Sequence, residues 1–413
     1  MARIESFRAW RPKPGLAERV ASPPYDVLSS DEARRMAAGE PYSFLHVVKP
    51  EVDLPEGTDL YAPEVYAKGA ENLRRLIAEG VLVREARPAY YLYRQRMGDH
   101  VQTGVVAGAS VDEYEADLIK KHEHTRRAKE DDRTRHVEAL NANTGPVFLA
   151  YRAREEIDRL VERLTSGEPT YDFTADDGIQ HTVWVVDNPV DVEELREAFA
   201  QVPEMYVADG HHRSAAAVRV REARRAANPA HTGDEPYNFF LSVIFPHDQL
   251  KILDYNRVVR DLAGRSKEAF LEEISEKFTV EPTGSPRPGS PHEFGMYLDG
   301  SWYRLVARPG TWPADDPVRS LDVAILQDNL LAPVLGIGDP RSDERIDFVG
   351  GIRGLEELEK RVDSGGWTVA FALYPTSIEQ LFSVADAGKV MPPKSTWFEP
   401  KLRSGLIVRP LDD

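Results

Sequence analysis

The chain contains no cysteine, which excludes disulfides, thiol nucleophiles and cysteine metal sites. It also lacks a basic excess. Lys and Arg number 52 against 69 Asp and Glu, for a formal charge of -17. A bulk electrostatic grip on DNA or on an anionic membrane is thereby disfavoured. No run approaches the roughly 18 apolar residues of a membrane span. The start, MARIESFRAWRPKPG, has no apolar signal-peptide core. The expectation is a cytoplasmic protein without membrane or DNA partners. Nucleotide-site signatures are missing too: no GxxxxGK[ST] loop, no GxGxxG after a strand, no GxSxG elbow. Gly350-Gly351-Ile352-Arg353-Gly354 is only a loop-to-helix turn.

What is present suffices for a large core. The 413 residues correspond to two or three domains, or to one elaborated domain. Strands are expected at 43–48, 88–95, 102–113, 146–152, 181–187, 204–208 and 238–246, with Gly98-Asp99 as a hairpin turn. Helices are expected at 60–80, 154–165, 190–200 and 214–227, and a short one is N-capped by Ser29 or Ser30. Past the Pro/Gly-rich stretch 282–291 the mixed pattern repeats, with strands near 294–308 and 367–374 and helices at 321–335 and 377–388. The class is α+β (mixed α/β) rather than a regular barrel. The stretch 282–291 predicts a main body of residues 1–281 and a C-terminal part of 292–413, whose polar-aromatic tail packs back on the body.

Four segments carry candidate chemistry. In the first, an apolar strand runs straight into Asp209-Gly210-His211-His212-Arg213 and then a helix. Glycine permits a tight or left-handed turn, and a helix start directs unpaired N–H groups at its contents. Arg213 adds a planar donor fork for phosphate oxygens, while His211 and His212 add donors or metal ligands. Asp209 could hold a divalent metal or accept a proton. The plainer alternative is a polar turn with a capping Asp.

The second segment runs from Lys120 to His136, with seven Lys/Arg against four Asp/Glu over 119–136. A helix after Thr125 puts Arg126, Lys129, Arg133 and His136 on one face, a basic stripe able to focus an anion. If the part before it is extended, His122 and His124 share a face and Glu123 takes the other, where it could act as a general base. His124, Asp131 and Asp132 are candidate metal ligands. The alternative is a solvated helix laced with ion pairs. The third segment, 389–405, is stiffened by prolines and centres on Lys394, a candidate phosphate contact; it could equally be a docking strap. The fourth, Pro23-Pro24-Tyr25-Asp26, sets a phenol and an acid on a stiff segment or forms a structural turn.

The segments PPYDV, HEHTRRAKEDDR, VADGHHRSAAA, LYPTSIEQL and MPPKSTWFEPKLRSGL, in this order, resemble the DUF1015 family over essentially the whole chain. Residues 204–217 alone are similar to the phosphate-binding turn of the ParB/sulfiredoxin superfamily, which includes free-serine kinases. That resemblance implies a ParB/sulfiredoxin-like nucleotide-binding core with large insertions. It also implies phosphate or Mg-nucleotide binding at Asp209, Gly210, His211, His212 and Arg213. Sulfiredoxin chemistry is excluded by the missing cysteine, and no helix-turn-helix DNA module is evident.

The leading expectation is a phosphotransferase using Mg²⁺ with ATP or ADP on a small hydroxylated metabolite, specifically a free L-serine kinase. Arg213, Lys129 and Arg133 would neutralise charge, and Glu123 or else Asp209 would take the proton. One alternative is a phosphohydrolase holding a transition metal on His122, His124, His211 and His212. Another is a non-enzymatic nucleotide-sensing regulator. All three require the 120s segment and the 209–213 turn to meet.

Overall fold

The computed structural model describes residues 2–412. They form two compact units, one of residues 1–250 with 400–413 and the other of 251–399. The predicted division at 282–291 is not where the units part. That stretch links strand Phe278–Pro282 to strand Glu293–Leu298 inside the second unit. Mixed α and β structure is present in both.

The first unit is built on a nine-stranded sheet. From one edge its order is Ile119–Lys120, Met205–Asp209, Val147–Tyr151, Phe239–Pro246, His100–Ser110, Tyr90–Met97, Gln180–Val186 and Tyr171–Thr174. Ile4–Glu5 also pairs with His100–Ser110. Two pairings are parallel, Met205–Asp209 with Ile119–Lys120 and Phe239–Pro246 with Val147–Tyr151. Alternating residues of one sheet face, such as Leu92, Val105, Val147, Leu149 and Val207, join Ile157, Leu195 and Phe199 in a buried core. Ile157 belongs to helix Glu155–Leu164, and Leu195 and Phe199 belong to helix Pro189–Phe199. A second core gathers Phe44, Val47, Leu73, Leu76, Leu140 and Val408 beneath the N-terminal helices.

The expected strand at 43–48 is instead a short helix, Leu45–Val48. Leu45, Val47 and Val48 are all buried there, and a short apolar run carries no periodicity that separates a buried strand from a buried helix. Ser29 is the predicted N-cap, in a reciprocal capping box with Glu32.

The segment 400–413 returns to the first unit. Ser404 and Ser22 exchange backbone hydrogen bonds of 2.9 and 3.0 Å, and Val408 and Trp10 exchange two of 2.9 Å. Arg409 is buried, pairs with Asn143 in a short ladder and donates to the Phe239 carbonyl.

The second unit carries a six-stranded antiparallel sheet in the order Phe278–Pro282, Ser301–Ala307, Glu293–Leu298, Val369–Leu373, Tyr255–Val259, Ile346–Gly350. Helix Glu356–Asp363 supplies Leu358 and Val362 to its core, beside Val258, Val349 and Ala370. The helix expected at 321–335 is α-helical over Asp322–Leu326 and continues as a π turn over Gln327–Leu331.

Candidate active site

Parallel pairing of Met205 with Ile119 and Tyr206 with Lys120 makes two strands leave the sheet at the same end. One continues as 121–126 and the other as the 209–213 turn. Strand Val147–Tyr151 runs antiparallel to Met205–Asp209, so its entry segment, Asn143 to Pro146, lies at that end as well. Register alone therefore brings the 120s segment to the turn. Helices Arg127–Leu140 and His211–Ala227 are then clamped side by side. Arg219 pairs with Asp131 at 2.6 Å, and Arg224 donates to Asn141 at 2.7 Å.

Helix His211–Ala227 begins three residues earlier than its Ala/Arg pattern implies, so His211, His212 and Arg213 form its first turn. Its N-cap, Gly210, has φ +105°, a left-handed conformation that disfavours any side chain. A Cβ there would also lie 3.2 Å from the Arg213 guanidinium. No side chain caps this helix and no acid occupies its first turn. The positive end of the helix dipole thus carries two imidazoles and a guanidinium, an arrangement suited to an anion.

Asp209 does not cap the helix. Its carboxylate accepts from Lys401 at 3.0 Å and lies 3.8 Å from Arg213. Burial works to raise the Asp209 pKa, but Lys401 and then Arg213 outweigh it and hold the carboxyl well below the ordinary range. A carboxylate so held is a weak proton acceptor and a good anchor. Arg213 is no exposed turn residue. Its side chain is 13% exposed, and it donates to the Pro146 carbonyl. A Cβ on Gly145 would lie 3.6 Å from it, so the entry segment fits closely around the guanidinium.

Beside the turn, the His122 and His211 rings meet edge to face with centroids 4.4 Å apart. Glu123, its side chain 43% exposed, lies 3.9 Å from His211 Nδ1. His122 and Glu123 thus both reach His211, contrary to the extended-chain expectation that placed them on opposite faces with His124 beside His122. His212 Nε2 accepts from the Arg126 backbone N–H at 3.1 Å, which ties the 120s segment to the turn. Burial pushes His122 down to about 4 and, reinforced by His122 nearby, holds His211 well below the imidazole range. Both rings are therefore neutral at pH 7.

Several sequence candidates lie elsewhere. His124 is exposed and outside this cluster. Asp132 is buried, accepts from the Tyr66 hydroxyl at 2.9 Å and from both arms of the Arg133 fork, and is thereby committed to structure rather than to a metal. Arg133 stacks over Tyr25, its guanidinium carbon 3.8 Å from the ring centroid. His136 is buried against the Val47 carbonyl at 3.0 Å. The basic stripe expected of this helix is therefore broken: Arg133 and His136 serve the interior. Lys129 stays exposed and donates to the Tyr61 hydroxyl at 3.2 Å. Lys394 belongs to the second unit, where its ammonium lies 5.5 Å from the Tyr255 ring centroid.

The lysine that touches the turn is Lys401, seven residues further along the same tail. Its signal was present, as a second lysine in an unusually polar-aromatic tail. The entry segment Asn143-Thr144-Gly145-Pro146 carried a weaker one, a glycine–proline pair between helix and strand. Tyr25, Arg133, His136, Thr144, Arg213 and Ser404 line a cavity of about 30 Å³, room for about one water.

The family model described as "Protein of unknown function (DUF1015)" matches residues 4–324. No curated protein matches the chain by sequence. Among solved structures, free serine kinase in complex with AMP is similar at 14% identity, over 73% of this chain and 92% of that one, with a TM-score of 0.35. SbnI with a C-terminal truncation, from Staphylococcus aureus, is similar at 12% identity over 74% and 87%, with a TM-score of 0.39. A conserved hypothetical protein from Pyrococcus furiosus is similar at 13% identity over 74% and 95%, with a TM-score of 0.35.

Proposed function

The chain belongs to the DUF1015 family, and from that premise we propose that its first unit is a nucleotide-dependent phosphotransferase acting on a small hydroxylated metabolite. The observation that carries this reading is the meeting of the 120s segment with the Asp209–Arg213 turn, through Arg126 to His212 at 3.1 Å and Glu123 to His211 at 3.9 Å. An anion-binding helix start and a half-exposed acid then flank one spot, as phosphoryl transfer requires.

In this reading the N–H groups that open helix His211–Ala227 hold the terminal phosphate oxygens, with His212 beside them. Arg213 and Lys401 fix the turn through Asp209 and keep the field cationic. Uncapped N–H groups beside a left-handed glycine fit a nucleotide phosphate. Mg²⁺ would arrive with the phosphates and supply charge neutralisation. Glu123 takes the acceptor's hydroxyl proton as its oxygen bonds to phosphorus, and the bridging P–O bond breaks to leave a nucleotide one phosphate shorter. L-Serine is the acceptor we name first, from the resemblance of the turn to that of free-serine kinases; the product is O-phosphoserine.

The test combines nucleotide calorimetry with mass spectrometry of the products formed from Mg²⁺, ATP or ADP, and L-serine. The reading expects nucleotide binding by wild type and by Glu123→Gln, and a phosphorylated acceptor from wild type alone. Full activity in Glu123→Gln removes it as the base. Absence of nucleotide binding by the wild type removes the reading altogether.

A further inference from the structure

We infer that His122, His211 and Glu123 form a site for one borderline divalent transition ion, of the Zn²⁺, Mn²⁺, Fe²⁺ or Co²⁺ class. Ligand atoms of these three side chains lie within 4.8 Å of one another, and among the described residues no other group of His, Asp or Glu does so. Both rings are nearly inaccessible, His122 at 2% and His211 at 4%. Each nonetheless keeps a buried nitrogen without a hydrogen-bond partner, Nδ1 of His122 and Nε2 of His211. Such orphans cost about 1–3 kcal/mol each unless something fills them. His122 also bonds the Val207 carbonyl through its ring, which leaves Nδ1 as a bare lone pair. Metal-ligating histidines are oriented by that kind of second contact.

The donor set selects the ion. Two imidazoles and one carboxylate suit borderline transition metals, whereas Mg²⁺ prefers an all-oxygen octahedron. Three protein ligands leave positions open for an exogenous oxygen. The surrounding charges are balanced, Lys401 and Arg213 against Asp209 and Glu123, so an ion would make the spot cationic and favour an anionic oxygen ligand such as phosphate. An ion bound here engages Glu123, whose role as a base then belongs to the ion-free protein. The inference does not rest on the phosphotransferase reading. Metal binding with no turnover by the ion-free protein would refute that reading alone, and turnover without metal binding would refute this inference alone.

The experiment is a Co²⁺ titration of the full chain, read by visible absorption and by metal analysis after desalting. Wild type is expected to take up one equivalent, with ligand-field bands that a hundredfold excess of Mg²⁺ leaves in place. Glu123→Gln, at a half-exposed position that leaves the fold intact, should weaken Co²⁺ at least about tenfold. His122→Ala should abolish uptake, with circular dichroism as the check on folding. His124→Ala, two residues away and exposed, should bind as wild type does. If His122→Ala does not fold, Glu123→Gln and His124→Ala decide the question. No stoichiometric uptake by wild type, or unchanged affinity in Glu123→Gln, overturns the site.

Discussion

Lys401 reaches across 192 residues of sequence to the Asp209 carboxylate. Replacing it with Met keeps most of the stem's volume and deletes the charge. Asp209 then keeps Arg213, at 3.8 Å. The two side chains are 19% and 31% exposed, so the pair is neither a surface bridge nor fully buried. Exposed pairs contribute about 0–1 kcal/mol and breaking a buried pair costs about 3–5 kcal/mol. The expected loss for this intermediate case is about 2 kcal/mol at pH 7. For a unit of this size that lowers Tm by about 4 °C. The pH dependence has a definite sign. The folded carboxyl titrates below its unfolded value of about 3.9, so the stabilisation is fully present above that value and is lost as pH falls toward the folded pKa. The gap between wild type and Lys401→Met should therefore hold above about pH 4 and narrow between about pH 4 and pH 2. Thermal unfolding of both proteins across this range reads it directly. A Tm change under about 1 °C at pH 7, or a gap that stays constant down to pH 2, would refute the pairing as described.

Gly210→Ala should destabilise by about 1–2 kcal/mol, because φ +105° strains any side chain and the new Cβ crowds the Arg213 guanidinium; urea unfolding measures the loss and a nucleotide titration the accompanying drop in affinity. Arg213→Lys should lower both stability and nucleotide affinity, since it removes the fork that holds the Pro146 carbonyl, and a stability unchanged to within about 0.5 kcal/mol would contradict its buried placement. The buried histidines predict acid sensitivity. His122 and His136 sit near 4 when folded against about 6.5 when unfolded, so stability should fall as pH drops from about 6.5 to 4. His136→Gln should flatten that limb of the urea-midpoint profile. Removal of residues 400–413 strips Lys401 from Asp209 and Arg409 from Asn143 and Phe239, so the truncated chain should aggregate or melt far below wild type in a thermal scan.

The strand–turn–helix around residue 210 was legible because its signals are local: an apolar strand, a glycine and a periodic helix. Hairpin strands such as Tyr90–Met97 and His100–Ser110 were legible for the same reason. Partner choice was not. Nothing local distinguishes Lys394 from Lys401, yet one lies in the second unit and the other on Asp209. The helix Arg127–Leu140 had a correct period, but its basic residues divide by what they meet across the fold. Arg133 and His136 turn to Tyr25 and Val47, whereas Lys129 remains exposed. Proline and glycine at 282–291 mark a turn equally well whether it joins two units or two strands of one sheet, and here they lie between Phe278–Pro282 and Glu293–Leu298. The parallel register of Met205 on Ile119 is a long-range fact, and it alone brings Glu123 to His211.

The most direct measurement is a phosphorus-31 NMR screen of the full chain with Mg²⁺, ATP or ADP, and L-serine among a panel of hydroxylated metabolites. The account predicts a new phosphomonoester signal that requires both protein and acceptor and that disappears in Glu123→Gln. A spectrum in which the nucleotide stays intact with every acceptor, or yields only free phosphate, would contradict it.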